Sequence, residues 1–173
     1  RDHMIIQERY LLLFICLIIV LLFCAIKAYK SDKPIGKYTS LVNGVIIIPI
    51  VGNIIIIMSE DKHMSYFGYL IYYIGMTLVM LSLIVFTNVY CKGVDEYSKN
   101  KHSQPYILYV LAGIDIFQLL LGDVFHHIID LEPTVLDGKV HYGDKPKVGL
   151  TFLRIADYIM FTCIVLILMV SIY

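Results

Sequence analysis

Five polar residues are strung along one otherwise apolar stretch of the chain, Pro105 to Asp130: Asp115, Gln118, Asp123, His126 and Asp130. At about 100° per residue they fall within an arc of roughly 140° on a helix, so one side of it carries carboxyls, an amide and an imidazole. Ala112 and Gly122 share that arc. Asp115 comes about ten residues after Pro105, roughly 15 Å along a helix axis, which is near the middle of a hydrocarbon layer about 30 Å thick. An ionisable carboxyl at that depth costs roughly 2.5–3.5 kcal/mol on insertion scales, so it must be protonated, paired or turned to a wet cavity. Ligand sites, ion paths and proton relays are built from such groups.

Two further groups could join this stripe. Arg154 and Asp157 stand i, i+3 in the last apolar run, where an Arg needs an acid, water or an anionic ligand. They can pair with each other. Alternatively Arg154 faces the stripe and, with Asn53, Gln118 and His126, lines a pocket open to one side of the membrane, the usual form of a small-ligand site in an apolar bundle. The expected ligand-binding set is therefore Asn53, Asp115, Gln118, His126, Arg154 and Asp157. The second group is metal chemistry. Asp123 with His127 and His126 with Asp130 are i, i+4 pairs that could hold a divalent ion on a helix face, with Glu60, Asp61, His63 and His141 as further donors. A hydrogen-bonded, solvated helix end accounts for the same residues.

The elements that must position these residues are membrane spans. With 59% hydrophobic residues among 173, only 16% charged and a mean hydropathy of +0.78, the chain is too apolar for a soluble domain of its length. The expected fold is all-α, a polytopic bundle of five transmembrane helices: Met4–Ile26, Thr39–Met58, Ser65–Cys91, Pro105–Asp130 and Leu150–Tyr173. Residues 4–173 then form a single integral membrane domain, and Arg1, Asp2 and His3 read as a cloning remnant before Met4. The linkers Lys27–Tyr38 and Lys92–Gln104 are rich in Lys, so the positive-inside tendency puts them in the cytoplasm, the N-terminus outside and the C-terminus inside. Tyr66, Phe67, Tyr69, Tyr72 and Tyr73 fit an aromatic belt at the outer interface.

Several residues shape the bundle. Pro49 removes a backbone hydrogen bond in mid-span and predicts a kink, flanked by Asn43 and Gly52-Asn53. Gly68, Gly75 and Ser82 recur at sevens and predict a seam where another helix approaches closely. Ser103 before Pro105 is a suitable helix cap. Cys16, Cys24, Cys91 and Cys163 contain no C-x-x-C pair and read as buried free thiols.

The run Tyr72-Tyr73-Ile74-Gly75-Met76, followed by Phe86 and Tyr90, and the run Gly122-Asp123-Val124-Phe125-His126-His127 resemble the N-terminal seven-helix membrane sensor region of bacterial histidine kinases and diguanylate cyclases. In that family the fourth helix commonly ends in a polar pair before a His. A Tyr-Gly element then leads to a fifth helix bearing a Tyr, matched here by Tyr142-Gly143 and Tyr158. The likeness covers most of Met4–Tyr173 in helix spacing and two short stretches in residues. It implies an extracellular N-terminus and a cytoplasmic output module. Five spans stand where the family has seven, Gly122-Asp123 replaces a common Thr-Asn, and there is no Trp. The resemblance therefore implies a fragment without the last two helices and output domain, or a shortened relative.

The expected function is a membrane-embedded sensory, ligand-binding domain that detects an extracellular or lipid-borne signal and relays it to a cytoplasmic output module. The alternative is a structural or proton-conducting small subunit of a larger membrane complex, with Asp115 as relay or interhelix pin. Enzyme activity is not expected of this chain. Bis-His haem ligation needs facing histidines from two helices, whereas only His126 and His127 lie on a span. No cofactor is required, although the Asp-His cluster admits a divalent metal. Expected partners are the bilayer, an unknown small-molecule or lipid ligand and a second copy as homodimer, with no nucleic acid. The expected location is a bacterial plasma (inner) membrane, as a multi-pass protein.

Overall fold

The computed structural model describes residues 6–99, 106–125, 129–136 and 138–172. Helices dominate: α1 (Ile6–Tyr29), α2 (Gly36–Met58), α3 (Lys62–Lys92), a short α4 (Val94–Lys99), α5 (Tyr106–Phe125) and α6 (Val148–Ile172). Four of them, α1, α2, α3 and α6, are long and apolar enough to cross a membrane by length and composition, and α5 is a shorter apolar helix. At 1.5 Å per residue its 20 residues still reach about 30 Å, one hydrocarbon thickness. The chain is an all-α membrane helix bundle, and its helices follow the expected spans with ends shifted by a few residues.

α3 is the hub. It packs on α2, α5 and α6, whereas α1 leans chiefly on α2. Most of α1 is consequently exposed apolar surface, including Leu13, Ile19 and Phe23, a face suited to lipid. Cys16 and Cys24 lie on it too, so these thiols are free but exposed rather than buried as expected. α5 shows a clean division. Leu108, Ala112, Asp115, Leu119 and Gly122 are buried, while Ile107, Val110, Ile114, Phe117 and Leu120 point outward. The side of α5 that carries Asp115 is thus the packed side.

The α2–α3 contact rests on glycine. A Cβ on Gly52 would stand 2.6 Å from the Tyr72 backbone N and 2.8 Å from the Gly68 carbonyl O, and one on Gly75 would stand 2.7 Å from the Pro49 ring and nitrogen. Close backbone approach is a recurrent way to associate helices in lipid, where no hydrophobic force drives them together. α2 runs as one helix through Pro49, whose ring fills the notch left by Gly75. Pro49 therefore acts as a packing residue. Asp61 caps α3 by accepting from the Met64 N–H at 3.0 Å, and Gly93 at φ +83° ends it in the left-handed region. Beyond Gly93, Tyr97 of α4 packs edge-on against Tyr38 at the start of α2. Burial and a hydrogen bond with Tyr109 hold the Tyr97 phenol protonated well above its usual range.

The segment read as the end of the fourth helix and a long loop is a β-hairpin. β1 (Ile129–Leu136) pairs antiparallel with β2 (Lys139–Pro146), Leu136 opposite Lys139. Gly138, just before β2, has φ +79°, a value that tight hairpin turns favour. Helical geometry cannot extend to Asp130, because α5 ends at Phe125 and Asp130 lies on β1. Ile129 and Leu131 are buried, and Ile129 joins Tyr73, Leu119, Leu150 and Leu153 in an apolar cluster under the hairpin. Two exposed ion pairs, Glu132–Lys145 and Asp130–Lys147, lie diagonally across its strands. Exposed pairs of this kind add about 0–1 kcal/mol each, so the apolar contacts fix the hairpin in place.

Candidate functional site

The hairpin is fastened to one end of the bundle by side chains from three helices or their turns. Tyr73 Oη donates to Asp144 Oδ2 at 2.7 Å and Tyr69 Oη to the Tyr142 carbonyl at 3.2 Å, both from α3. Lys139 Nζ donates to Glu60 at 2.6 Å in the α2–α3 turn. In the same turn the Ser59 carbonyl lies 3.2 Å from His141 Nδ1. A carbonyl can only accept, so Nδ1 carries the proton and Nε2 of the neutral ring accepts from the Gln7 amide of α1. The start of α1, the α2–α3 turn and the hairpin thus share one end of the bundle. At the other end Cys91 Sγ meets Ser171 Oγ at 3.2 Å, tying α3 to α6.

Below the hairpin, α2 and α6 diverge across α3 and leave a cleft of about 470 Å³. Asn53 and Ile56 form one wall from α2, and Arg154 and Asp157 the opposite wall from α6. Tyr69, Tyr72, Tyr73 and Met76 of α3 make the floor, with Asp144 of β2 at the rim. The tyrosines contact one another, Tyr72 edge-on to Tyr73 at 5.2 Å and Tyr69 stacked on Tyr73 at 6.4 Å between centroids. A second cavity, of about 440 Å³, shares Met76, Arg154 and Asp157 and carries the groove on past Tyr158 and Phe161.

The charged groups of this cleft are not neutralised by one another. Among the described residues Arg154 forms no ion pair, not even with Asp157 one turn away on its own helix. Its charge reaches the Tyr73 hydroxyl. Asp157 Oδ1 is buried without a hydrogen-bond partner. Behind it Asp115 of α5 is only 3% exposed, and its Oδ2 likewise has no partner. The two carboxyls are within electrostatic reach of each other. An arrangement of one cation, two unsatisfied acids, an amide and aromatic faces can bind a polar small molecule or ion, or hold a proton between carboxyls.

The expected ligand set is thus divided. Asn53, Arg154 and Asp157 line the cleft together, with Asp115 adjacent to Asp157. Gln118 does not join them. Its Nε2 donates to the Gly149 carbonyl at 3.1 Å, where it braces the start of α6 and borders a separate apolar groove with Phe117 and Phe152. His126 lies outside the described residues. So does His127 of the expected metal set, together with the Asp123 side chain. Asp130 of that set pairs with Lys147 on the hairpin. Of the further donors, Glu60 is taken by Lys139, Asp61 by the α3 cap and His141 by Ser59 and Gln7. No group of three His, Cys, Asp or Glu arranged for a metal occurs among the described residues.

Sequence reasoning missed Tyr69, Tyr72, Tyr73 and Asp144. The tyrosines read as a lipid-facing belt, yet Tyr73 is buried and Tyr69 and Tyr72 half-buried, and of that group Phe67 is the one well exposed. Their spacing of 69, 72, 73 and 76 is the signal that could have found the floor, since i, i+3, i+4 and i+7 share a helix face. Asp144 gave no signal.

The fold and cleft together define the class, a membrane helix bundle with a polar cleft under a hairpin. No protein-family model matches the chain, and neither a curated protein nor a solved structure matches it.

Proposed function

We propose that this chain is a membrane-embedded sensory domain that binds a small ligand in the cleft between α2, α3 and α6 and passes the event across the bilayer to an output module. The observation that carries the reading is the convergence of Asn53, Arg154 and Asp157 on an aromatic floor, with Arg154 in no ion pair among the described residues. An uncompensated charge in a transmembrane segment marks a functional site by default. The relay would run along α3, which forms the cleft floor near one end and contacts α4 at the other. A ligand can drive it only by binding two helix arrangements with different affinity, and α2 and α6 on opposite walls are the elements it can draw together. The Lys-rich linkers Lys27–Tyr38 and Lys92–Gln104 favour an extracellular cleft, and the resemblance to sensor regions of bacterial histidine kinases and diguanylate cyclases agrees with it.

Native mass spectrometry of the detergent-extracted chain beside Arg154→Gln tests this. A small molecule retained by the wild type and lost from the variant supports the reading. A chain that is bare in both and stays bare when small polar molecules are added back removes it. The weight would then shift to a partner-dependent or proton-conducting membrane subunit, a reading that rests on Asp115 and Asp157 as neighbouring acids, each with a buried oxygen that has no hydrogen-bond partner among the described residues.

A further inference from the structure

We infer that the cleft ligand is a zwitterion carrying an ammonium and a carboxylate on the same carbon, the chemistry of a free α-amino acid. This rests on the cleft being a ligand site and adds the chemical class.

A cation and an acid sit one helical turn apart on the same wall, Arg154 and Asp157, close enough to pair by spacing, yet they do not. Each is left with bonding capacity directed elsewhere. A purely anionic ligand would satisfy Arg154 but would add a negative charge beside Asp157, with Asp144 at the rim and Asp115 behind. A purely cationic one would meet the reverse at Arg154. Both are disfavoured, because like charges brought close together repel, although exposed Arg154 and half-buried Asp157 keep some screening by water. A ligand with both charged groups on one carbon answers Arg154 and Asp157 at once and brings no net charge into the membrane layer.

The remaining lining agrees. The guanidinium fork matches a carboxylate in two parallel bonds. The stacked and edge-on tyrosines of α3 offer ring faces that attract an ammonium and can flank an apolar side chain. Tyr73 is held in orientation by its bond to Asp144, so the floor is set before a ligand arrives. Asn53 on the facing wall supplies a donor and an acceptor. A cleft of about 470 Å³ lies within the range that holds small organic ligands.

The test is calorimetric binding of a panel of free L-amino acids to the full chain in nanodiscs, each beside its N-acetyl derivative, which is only anionic, and its amide, which is only cationic. The expected result is that at least one free amino acid binds at least about tenfold more tightly than both derivatives, since each loses a hydrogen-bonded charge contact. Arg154→Gln should abolish the preference over the amide, and Asp157→Asn the preference over the N-acetyl form. If Arg154→Gln does not fold, Arg154→Lys should keep the preference with weaker binding overall. Equal binding of either derivative, or no binding by any member of the panel, overturns the zwitterion. The ligand-site reading fails separately. A non-zwitterionic molecule retained in native mass spectrometry would leave that reading standing, whereas a bare chain together with an empty panel would remove both.

Discussion

Replacing single glycines with alanine should sort them by what stands opposite. At Gly52 the added Cβ meets three backbone atoms, the Tyr72 N at 2.6 Å, the Gly68 O at 2.8 Å and the Tyr72 Cα at 2.9 Å. Backbone cannot rotate away, so α2 and α3 must separate by about 1 Å to restore ordinary contact. A radial gap of about 0.5–1 Å already forfeits a quarter to a half of each neighbouring dispersion well, and forced overpacking typically costs about 1–3 kcal/mol. Gly75→Ala should behave alike, because the rigid Pro49 ring and nitrogen stand 2.7 Å away. Gly68→Ala should also destabilise. Its nearest neighbour, at 2.8 Å, is Cγ1 of Ile56, the first branch of a side chain stiff in a helix, and the Gly52 carbonyl stands at 3.1 Å. Gly44 and Gly113 have nothing within 4 Å, so alanine there should stabilise by about 0.5–1 kcal/mol through helix propensity alone. Reversible unfolding in mixed micelles of increasing denaturing detergent, followed by circular dichroism, gives the ordering. Gly52→Ala as stable as wild type, or Gly44→Ala as harmful as Gly52→Ala, would refute the account of the α2–α3 contact.

The hairpin and the buried acid give three more expectations. Tyr73→Phe removes the 2.7 Å bond to Asp144 and should loosen the hairpin by about 1–3 kcal/mol; a double-mutant cycle with Asp144→Asn that shows no coupling would contradict it. The hydrogen bond and charge of Lys139 hold the Glu60 carboxyl below its usual range, so this tether is at full strength above the ordinary glutamate value and is lost as pH falls through the lowered one. Hydrogen exchange of the hairpin should accordingly quicken below about pH 4.5 in the wild type, and Glu60→Gln should remove that step. Asp115→Leu exchanges a 3%-exposed carboxyl without a partner for an isosteric apolar group and should raise the unfolding free energy by about 1–3 kcal/mol; a destabilised variant would mean that Asp115 is satisfied by a bound group.

Legibility in the sequence followed the length scale of the signal. Apolar runs of some 20 residues located the helices, and Gly68 and Gly75 located the close seam, because both signals are local. The hairpin was lost although Asp137-Gly138 is a hairpin dipeptide, since the polar stripe extended helical phase from Asp115 through Asp130 and no local rule marked that Ile129 and Asp130 lie on a strand. Asn53, Arg154 and Asp157 were legible as polar residues in apolar runs. Gln118 was equally visible, but its partner is a backbone carbonyl 31 positions away, and polarity alone cannot rank such a partner against a cavity. The tyrosine floor needed the knowledge that α3 is the hub of the bundle, which is a property of the packing.

The α2–α3 and α3–α6 contacts are held by different physics, and the difference bears on the proposed sensory role. α2 and α3 interlock through Gly52, Gly68, Gly75 and Pro49 with backbone in contact, a geometry that permits little relative motion without losing it altogether. α6 meets α3 through side chains such as Met160 and Ile164, and beside that contact lie Asp115 and Asp157, each with a buried oxygen lacking a hydrogen-bond partner among the described residues, and Arg154, which forms no ion pair among them. Flexible side chains can repack at modest cost, and Met fills irregular gaps more readily than branched residues. Unsatisfied charges concentrated at the looser contact place the stored cost where movement is cheapest. A ligand that neutralises Arg154 and Asp157 would therefore act on the position of α6 against a fixed α2–α3 pair, and the Cys91–Ser171 contact at the far end is where that shift would first register.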